Sequence, residues 1–224
     1  MKWPINIFKN MNRGEDIYIV GSGPSLKFID SDFFLGKYVI GINYAYKVLP
    51  CEFVLIKHGF LGQEIINAGH RLIASEYESA NNTLQKNEYE GTYFYFTHKT
   101  RGDETDDENF KANIEAIGKD EDIFVSRSAI TSGMHLAAYM GAKNIILIGH
   151  DCGVLDGLFH SDGKENKSPE ETQEQFEVRY KDWLGKTNNE SIVLKKKLLE
   201  VYKCNIYSLN PFINFRLEGH KYDT

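Results

Sequence analysis

The amino-acid sequence predicts a protein of the α/β class, built on a mostly parallel sheet with helices on both faces. Short, continuous apolar runs recur along the 224-residue chain, and such runs are typical of strands that are covered on both faces. The run at residues 17–20 ends in the glycine-rich turn Gly21-Ser22-Gly23-Pro24-Ser25. The run at residues 144–148 follows an apolar helical segment and Gly141. This helix–glycine–strand unit is half of a βαβ pattern.

The pattern of apolar and polar residues predicts the strands and helices along the chain. We expect strands at residues 17–20, 37–42, 53–56, 71–74, 93–96, 123–125, 144–148 and 205–209. We expect helices at residues 25–34, 134–140, 174–184 and 191–202. Residues 1–224 are predicted to form a single domain. A polar insertion around residues 77–122, with an acidic loop at 100–109, and a loop or lid around 152–174 interrupt it.

The amino-acid composition indicates which ligands and which cellular compartment to expect. The net charge of −6 argues against a surface that binds nucleic acid. The three cysteines, Cys51, Cys152 and Cys204, show no C-x-x-C spacing, which indicates reduced thiols in a cytoplasm-like compartment. No segment approaches the ~20 apolar residues of a membrane span. We therefore expect a cytoplasmic protein without a transmembrane segment, for which a homo-oligomer is possible.

The glycine-rich turn has the layout of a phosphate site, because it ends a buried strand and opens a helix. Gly21 and Gly23 have no Cβ, so the backbone can approach a ligand. Pro24 suits the first helical turn, and Ser25 can cap the helix or donate to an anion. The motif is neither G-x-G-x-x-G nor a Walker loop. It predicts a nucleotide or phosphate site of another kind, and a tight turn without a ligand is the alternative.

The ends of the other predicted strands supply further candidates, since ligands of open α/β sheets bind beyond the carboxyl ends of the strands. Asn43 follows the second strand and either binds a ligand or forms a turn. The third strand delivers Lys57 and His58. His150 and Asp151 follow the strand at 144–148 and are candidate acid–base groups, or they tie two loops together. The predicted strand at 123–125 delivers the polar stretch Ser126-Arg127-Ser128.

Thr131, Ser132 and Gly133 are predicted at the start of an apolar helix. Hydroxyl groups there can cap the helix, and the helix N-terminus can bind a phosphate through its N–H groups and its dipole. Plain capping is the structural alternative.

His160 lies in the loop at residues 156–163 and is a candidate proton acceptor, because histidine titrates near neutral pH. An exposed histidine without a function is the alternative. The acidic loop at 100–109 could bind a metal, although such loops are more often solvated. The sequence contains no H-E-x-x-H motif, no Cys/His ligand set and no G-x-S-x-G elbow, so we predict no metal site.

Four of these segments occur in an order that resembles bacterial sialyltransferases of glycosyltransferase family 42. They are G-S-G-P-S-L at residues 21–26, Asn43, I-T-S-G at residues 130–133 and G-A-K-N-I-I-L-I-G-H-D at residues 141–151. They equally resemble a wider group that contains Maf-type motility-associated glycosyltransferases and archaeal hydroxymethyldihydropterin pyrophosphokinases of the MptE-like group. The first motif departs from the usual pattern, because Ser22 stands where the family has asparagine.

The resemblance implies a Rossmann-like fold of the GT-A type, a CMP-sugar donor and no essential metal. It implies that Ser22 and Gly23 lie near the nucleotide, Asn43 near the cytidine or ribose, and residues 131–133 near the ribose and phosphate. The base of the sialyltransferases is a histidine shortly before the last long helix. Residues 184–188, which precede the predicted helix at 191–202, contain no histidine. His160 is the substitute that the wider group suggests.

Three hypotheses follow. The first is an enzyme that transfers a sugar from a CMP-linked donor to a hydroxyl of a glycan or protein, with His160 or His150 as the base. The second is a Mg²⁺-dependent pyrophosphokinase that uses ATP and a hydroxymethyl pterin, with Asp151 and Asp156 as metal ligands. The third is a nucleotide- or glycan-binding protein without catalytic activity.

Overall fold

The structure is a computed structural model that describes residues 1–78, 84–99, 106–119, 122–151, 158, 161 and 170–209. Its strands are β1 (Lys2–Pro4), β2 (Asp16–Val20), β3 (Tyr38–Ile42), β4 (Phe53–Ile56), β5 (Leu72–Glu78), β6 (Leu84–Gln85), β7 (Tyr93–Lys99), β8 (Asn144–Ile148) and β9 (Asn205–Ser208). Its α-helices are α1 (Gly62–Asn67), α2 (Asp106–Ala116), α3 (Ala129–Tyr139) and α4 (Gln173–Tyr202).

The sheet confirms the predicted α/β class. Eight strands are mutually parallel in the order β1-β7-β5-β4-β3-β2-β8-β9, and β6 pairs with β5 in the antiparallel sense. From β2 the chain builds outward through β3, β4 and β5, and it then returns to the other side of β2 as β8 and β9. The order of strands therefore reverses between β2 and β8, and open α/β sheets bind their ligands at such a reversal.

The sheet is covered on both faces, as its apolar strands require. Helices α3 and α4 cover one face, where Leu194 and Leu198 of α4 join a cluster with Ile17 and Ile19 of β2. On the opposite face, α1 and the short 3₁₀ helices that follow β2 and β3 pack on the alternate residues of the strands. No helix in the described part of the chain is long and apolar enough to cross a membrane.

Several predicted elements differ in the structure. Residues 123–125 take no place in the described sheet, and the predicted helix at 25–34 is two 3₁₀ helices, Pro24–Phe28 and Ser31–Phe34. Helix α2 begins at Asp106, so the end of the predicted acidic loop is helical. Strand β1 was not predicted. Its Lys2 Nζ lies 2.6 Å from Oε1 of the fully buried Glu76, which secures β1 at the edge of the sheet.

Helix α4 is one helix of 30 residues, whereas the sequence predicts two. The polar stretch at residues 185–190 suggests a break, but Thr187 and Glu190 are buried and the helix continues through them. A capping box fixes its start: Thr172 Oγ1 accepts from Gln175 N at 3.2 Å, and Thr172 N donates to Gln175 Oε1 at 2.9 Å.

The ends of β2 and β8 are joined by direct contact between their backbones. Gly21 N donates to Ile148 O, and Gly23 N donates to Gly149 O, both at 2.8 Å. A Cβ on Gly21 would lie 2.5 Å from Gly149 O, and a Cβ on Gly149 would lie 2.6 Å from Gly21 O. Only residues without a side chain fit this contact, which fixes the shape of the sheet edge at the strand reversal.

We expect Gly21→Ala to lower the free energy of unfolding by ~1–3 kcal/mol, because the new methyl group must displace backbone rather than a flexible side chain. Gly185→Ala is the matched control. No atom lies within 4 Å of the added Cβ at Gly185, and alanine in a helix interior is favoured over glycine by ~1 kcal/mol. Urea denaturation of both variants checks the difference. Equal effects of the two substitutions would contradict the close contact.

Candidate functional site

A cavity of ≈ 250 Å³ opens at the strand reversal. Its floor consists of residues that directly follow four strands, its side is the start of α3, and its roof comes from α4. The lining residues are Gly21, Ser22, Gly23, Ile42, Asn43, Lys57, His58, Arg127, Ser128, Ala129, Ile130, Gly149, His150, Asp151, Tyr180, Trp183 and Leu184.

Most of the residues predicted for the site therefore lie together. Ten of them line this cavity: Gly21, Ser22, Gly23, Asn43, Lys57, His58, Arg127, Ser128, His150 and Asp151. Pro24 and Ser25 lie beside it in a 3₁₀ helix and are buried. Contact of any of these residues with a nucleotide stays a prediction.

The carboxylate of Asp151 holds the glycine-rich turn. Ser25 donates to it twice, from its backbone N to Oδ2 at 2.6 Å and from its Oγ to Oδ1. Both residues are buried, with 2% of Asp151 and 1% of Ser25 exposed. A Cβ on Gly23 would lie 2.6 Å from Asp151 Oδ2. This bonding gives Asp151 a positioning role: it ties the segment after β8 to the turn after β2.

Residues 131–133 do not line the cavity, because α3 begins earlier than predicted. Ser128 is the N-cap, and its Oγ accepts from Ile130 N at 3.4 Å. Thr131 Oγ1 donates to Ser128 O at 2.6 Å, and Ser132 is fully buried within the helix. A Cβ on Gly133 would lie 2.9 Å from Ile19 Cγ2, so Gly133 allows α3 to pack closely on β2. Residues 128–130 occupy the place beside the cavity that the sequence predicted for 131–133.

The structure sets the backbone conformation of Asn43 and the protonation state of His150. Asn43 has a φ of 52°, in the left-handed region that asparagine adopts more readily than most residues. This turn directs the chain from β3 into a 3₁₀ helix, Asn43–Lys47. Burial lowers the pKa of His150 to about 3, so its imidazole is neutral at physiological pH.

Two cationic side chains border the cavity. Lys57 Nζ donates to Ser126 O at 2.7 Å, which links the end of β4 to the segment before α3. Arg127 is paired with Glu190 of α4 through Nη1 and Oε1, and Arg127 N lies 3.4 Å from Glu190 Oε2. Both cations thus lie beside the cavity, and the charge of Arg127 is offset by that of Glu190.

The contribution of α4 to the cavity was not predicted. Tyr180 and Trp183 line the cavity, and together with Phe176 they form a row of stacked rings. The Phe176 and Tyr180 centroids are 5.4 Å apart at 21°, and those of Tyr180 and Trp183 are 5.8 Å apart at 19°. The i, i+4, i+7 spacing of these residues places them on one helix face, and that spacing is a signal that the sequence contains.

A second cavity, of ≈ 860 Å³, lies next to the first. Four residues line both: Lys57, His58, Arg127 and Trp183. Its other walls include Ser75 in the middle of β5, His98 near the end of β7, and residues of α2.

His160, Asp156 and residues 100–105 lie outside the described residues. Ser161 is described, and its N donates to Ser22 O at 2.8 Å. One point of the predicted lid segment thus contacts the glycine-rich turn. Within the described part of the chain, no cluster of three or more His, Cys, Asp or Glu side chains could hold a metal ion.

The fold is similar to that of several solved structures. CstII of Campylobacter jejuni, a sialyltransferase solved with the substrate analogue CMP-3FNeuAc, matches with a TM-score of 0.50 and 18% identity, over 91% of this chain and 85% of that one. CstII with a trisaccharide acceptor and CMP matches with a TM-score of 0.50 and 17% identity, over the same shares. The fold is similar to that of sialyltransferases.

A Maf glycosyltransferase from Magnetospirillum magneticum AMB-1 matches at a TM-score of 0.47 and 14% identity, over 91% of this chain and 35% of that one; we draw nothing from a likeness that weak. No protein-family model and no curated protein sequence matches the chain. The predicted GT-A designation and the resemblance to pterin pyrophosphokinases stay predictions.

Stability should fall in mild acid because burial lowers the pKa of several histidines in the described part of the chain, most strongly that of His135 and His150. Burial lowers the pKa of His135 and of His150 to about 3, from an ordinary value of 6.5. As the pH falls below 6.5 the unfolded chain takes up these protons first, so the stabilisation is complete above pH 6.5 and is lost progressively towards pH 3. We expect urea denaturation to give a lower free energy of unfolding at pH 5 than at pH 7.5.

His135→Asn tests the assignment of this effect. His135 Nδ1 accepts from Phe124 N at 2.8 Å, and the asparagine Oδ1 can replace that acceptor. The variant should lose part of the dependence on pH between 7.5 and 5, whatever its stability at pH 7.5. If the free energy of unfolding changed equally with pH in the variant and in the original chain, His135 would not be a source of the effect.

Proposed function

We propose that this protein is a glycosyltransferase that transfers a sugar from a nucleotide-linked donor to a hydroxyl group of an acceptor. We propose CMP as the nucleotide of the donor. The observation that carries the proposal is the cavity at the reversal of strand order, where the glycine-rich turn after β2 faces the start of α3. This is the general location of nucleotide sites in open α/β sheets. The similarity of the fold to that of CMP-bound sialyltransferases supports the choice of nucleotide.

In the proposed reaction, the bond between the anomeric carbon and the phosphate oxygen breaks and CMP leaves with the electron pair. Negative charge develops on the leaving phosphate, and the positive end of the α3 dipole at residues 128–130 can stabilise it. Lys57 and Arg127 border the same cavity and add positive charge. The backbone of Ser22 and Gly23 lines the cavity beside the proposed nucleotide, whereas the missing side chain of Gly23 allows the close contact with Gly149 O and Asp151 Oδ2.

The acceptor oxygen forms the new bond to the anomeric carbon, and its proton passes to a base. We assign this role to His160. Because α4 begins at Gln173, residues 184–188 lie within the last long helix and the segment before it contains His160. The sequence predicts that the last long helix starts at residue 191, and that start placed the expected base at residues 184–188. With the start at Gln173, the segment before the helix does contain a histidine. His150, which is neutral and lines the cavity, is the second candidate.

The pyrophosphokinase hypothesis gains no support from the site. It assigns Mg²⁺ to Asp151, whose two carboxylate oxygens both accept hydrogen bonds from Ser25. A binding protein without catalytic activity stays the second hypothesis, and a test of turnover separates it from the first.

We expect CMP to raise the melting temperature more than CDP, UDP, GDP or ATP with Mg²⁺, because a ligand of the folded state stabilises it by mass action. Asn43→Gly is a suitable variant, since glycine keeps the left-handed backbone and removes only the amide side chain. It should weaken CMP binding about tenfold, equivalent to 1.4 kcal/mol, with little change in the melting temperature of the unliganded protein. A response to ATP with Mg²⁺ and none to CMP would instead favour the kinase.

A second experiment measures turnover as the release of CMP from a CMP-linked sugar. His160→Ala should lower turnover ~10²–10⁴-fold, the usual contribution of a general base, and should leave CMP affinity unchanged. His150→Asn is the comparison for the second candidate. Full turnover in both variants would remove both histidines as the base, and no turnover in the unmodified chain with intact CMP binding would support the binding protein.

A further inference from the structure

The second cavity is placed to receive another molecule beside the nucleotide. It shares the wall of Lys57, His58, Arg127 and Trp183 with the first cavity, and reacting groups of two substrates must come within about 3–3.5 Å. Resting on the proposed function, we propose that this cavity binds the acceptor and that the acceptor is an anionic sugar, one that carries a carboxylate or a phosphate.

Aromatic and amide side chains make the cavity suitable for a sugar. Phe60 is 76% exposed, and its ring stacks on that of His58 with centroids 6.4 Å apart at 20°. An exposed ring at the mouth of a cavity can cover the apolar face of a pyranose, and Trp183 offers a second ring on the shared wall. Asn109 and Asn113 line the cavity from successive turns of α2. Each amide both donates and accepts hydrogen bonds, as sugar hydroxyls require.

The charges around the cavity favour an anion. Its described lining contains three cations, Lys57, Lys86 and Arg127, and one anion, Glu190, which is paired with Arg127. This positive excess contrasts with the net charge of −6 for the whole chain. Lys57 also contributes to lowering the pKa of both His58 and His98, after burial as the main cause.

Ser75 and His98 add a neutral, hydrogen-bonding wall. His98 Nδ1 is hydrogen-bonded to Ser75 Oγ, and burial lowers the pKa of His98 to about 4. Its imidazole therefore stays neutral at physiological pH and does not attract an anion by charge. The positive charge comes instead from the lysine and arginine side chains, of which Lys86 is exposed and can be replaced without disturbing a buried contact.

Fluorescence of Trp183 provides a local test. The chain has two tryptophans, so Trp3→Phe leaves Trp183 as the sole reporter. We would titrate this variant, with saturating CMP present, with glucuronate, glucose 6-phosphate and methyl β-D-glucopyranoside. At least one anionic sugar should bind tenfold or more tightly than the neutral glycoside, and that preference should shrink in 0.5 M salt because charge is screened. The tighter of the two anionic probes identifies the carboxylate or the phosphate.

Three variants in the Trp3→Phe background show where the sugars bind. Lys86→Gln should weaken the anionic sugar at least threefold and leave the neutral glycoside unchanged. Lys119→Gln, a change of an exposed lysine outside the cavity lining, should change neither. Phe60→Ala should weaken both kinds of sugar and leave the CMP-induced shift in melting temperature intact.

Equal affinities for the neutral and anionic sugars would overturn the inference, as would inorganic phosphate that binds as tightly as glucose 6-phosphate. A lack of any sugar-induced change, with normal CMP binding, would also overturn it and leave the proposed function standing. Sugar binding that follows the expected pattern in a protein that does not respond to CMP would support this site and contradict the proposed nucleotide site.

Discussion

The backbone contact between the ends of β2 and β8 is the constraint on which the rest of the site depends. Gly21 and Gly149 approach each other so closely that neither can carry a side chain, and two hydrogen bonds join the segments. Because the order of the strands reverses at this point, the chain diverges on either side and leaves a cavity above the junction. Asp151 completes the junction by holding Ser25 through both carboxylate oxygens.

Two adjacent cavities share one wall at this edge of the sheet. The smaller cavity lies over the junction, and the larger one extends toward β5, β7 and α2. The wall between them carries Lys57, Arg127 and Trp183, which reach it from the sheet, the segment before α3 and the roof helix. Glu190 holds Arg127 from α4, so the position of the roof and the charge on the wall are coupled.

The sequence predicted the sheet well because buried parallel strands leave a clear record of short apolar runs. The predicted runs at 53–56 and 144–148 match β4 and β8. The ends of β2, β3, β4 and β8 also located eight of the lining residues, since parallel strands present their carboxyl ends at one edge. Helix boundaries were less accessible: Thr131 and Ser132 look like caps, yet Ser128 is the cap and the two hydroxyls are buried inside α3.

What the sequence could not supply arises from long-range packing. Local propensity suggested a break near Gly185, whereas burial of Thr187 and Glu190 against the rest of the fold keeps α4 continuous. Tyr180 and Trp183 lie in the part of α4 that the sequence does predict, but the packing that places this part of the helix against the cavity is a tertiary effect. Strand β1 was missed for the same reason, because it pairs with β7, which is far away in sequence.

The most direct measurement is a titration of the ¹⁵N-labelled protein with CMP, followed by amide chemical shifts in NMR spectra. The account predicts that the largest changes occur in residues 21–23, at Asn43 and in residues 128–130, the groups that surround the strand reversal. Changes centred elsewhere in the chain, or CMP binding that leaves these amides unmoved, would contradict the claim that the junction of β2 and β8 holds the nucleotide.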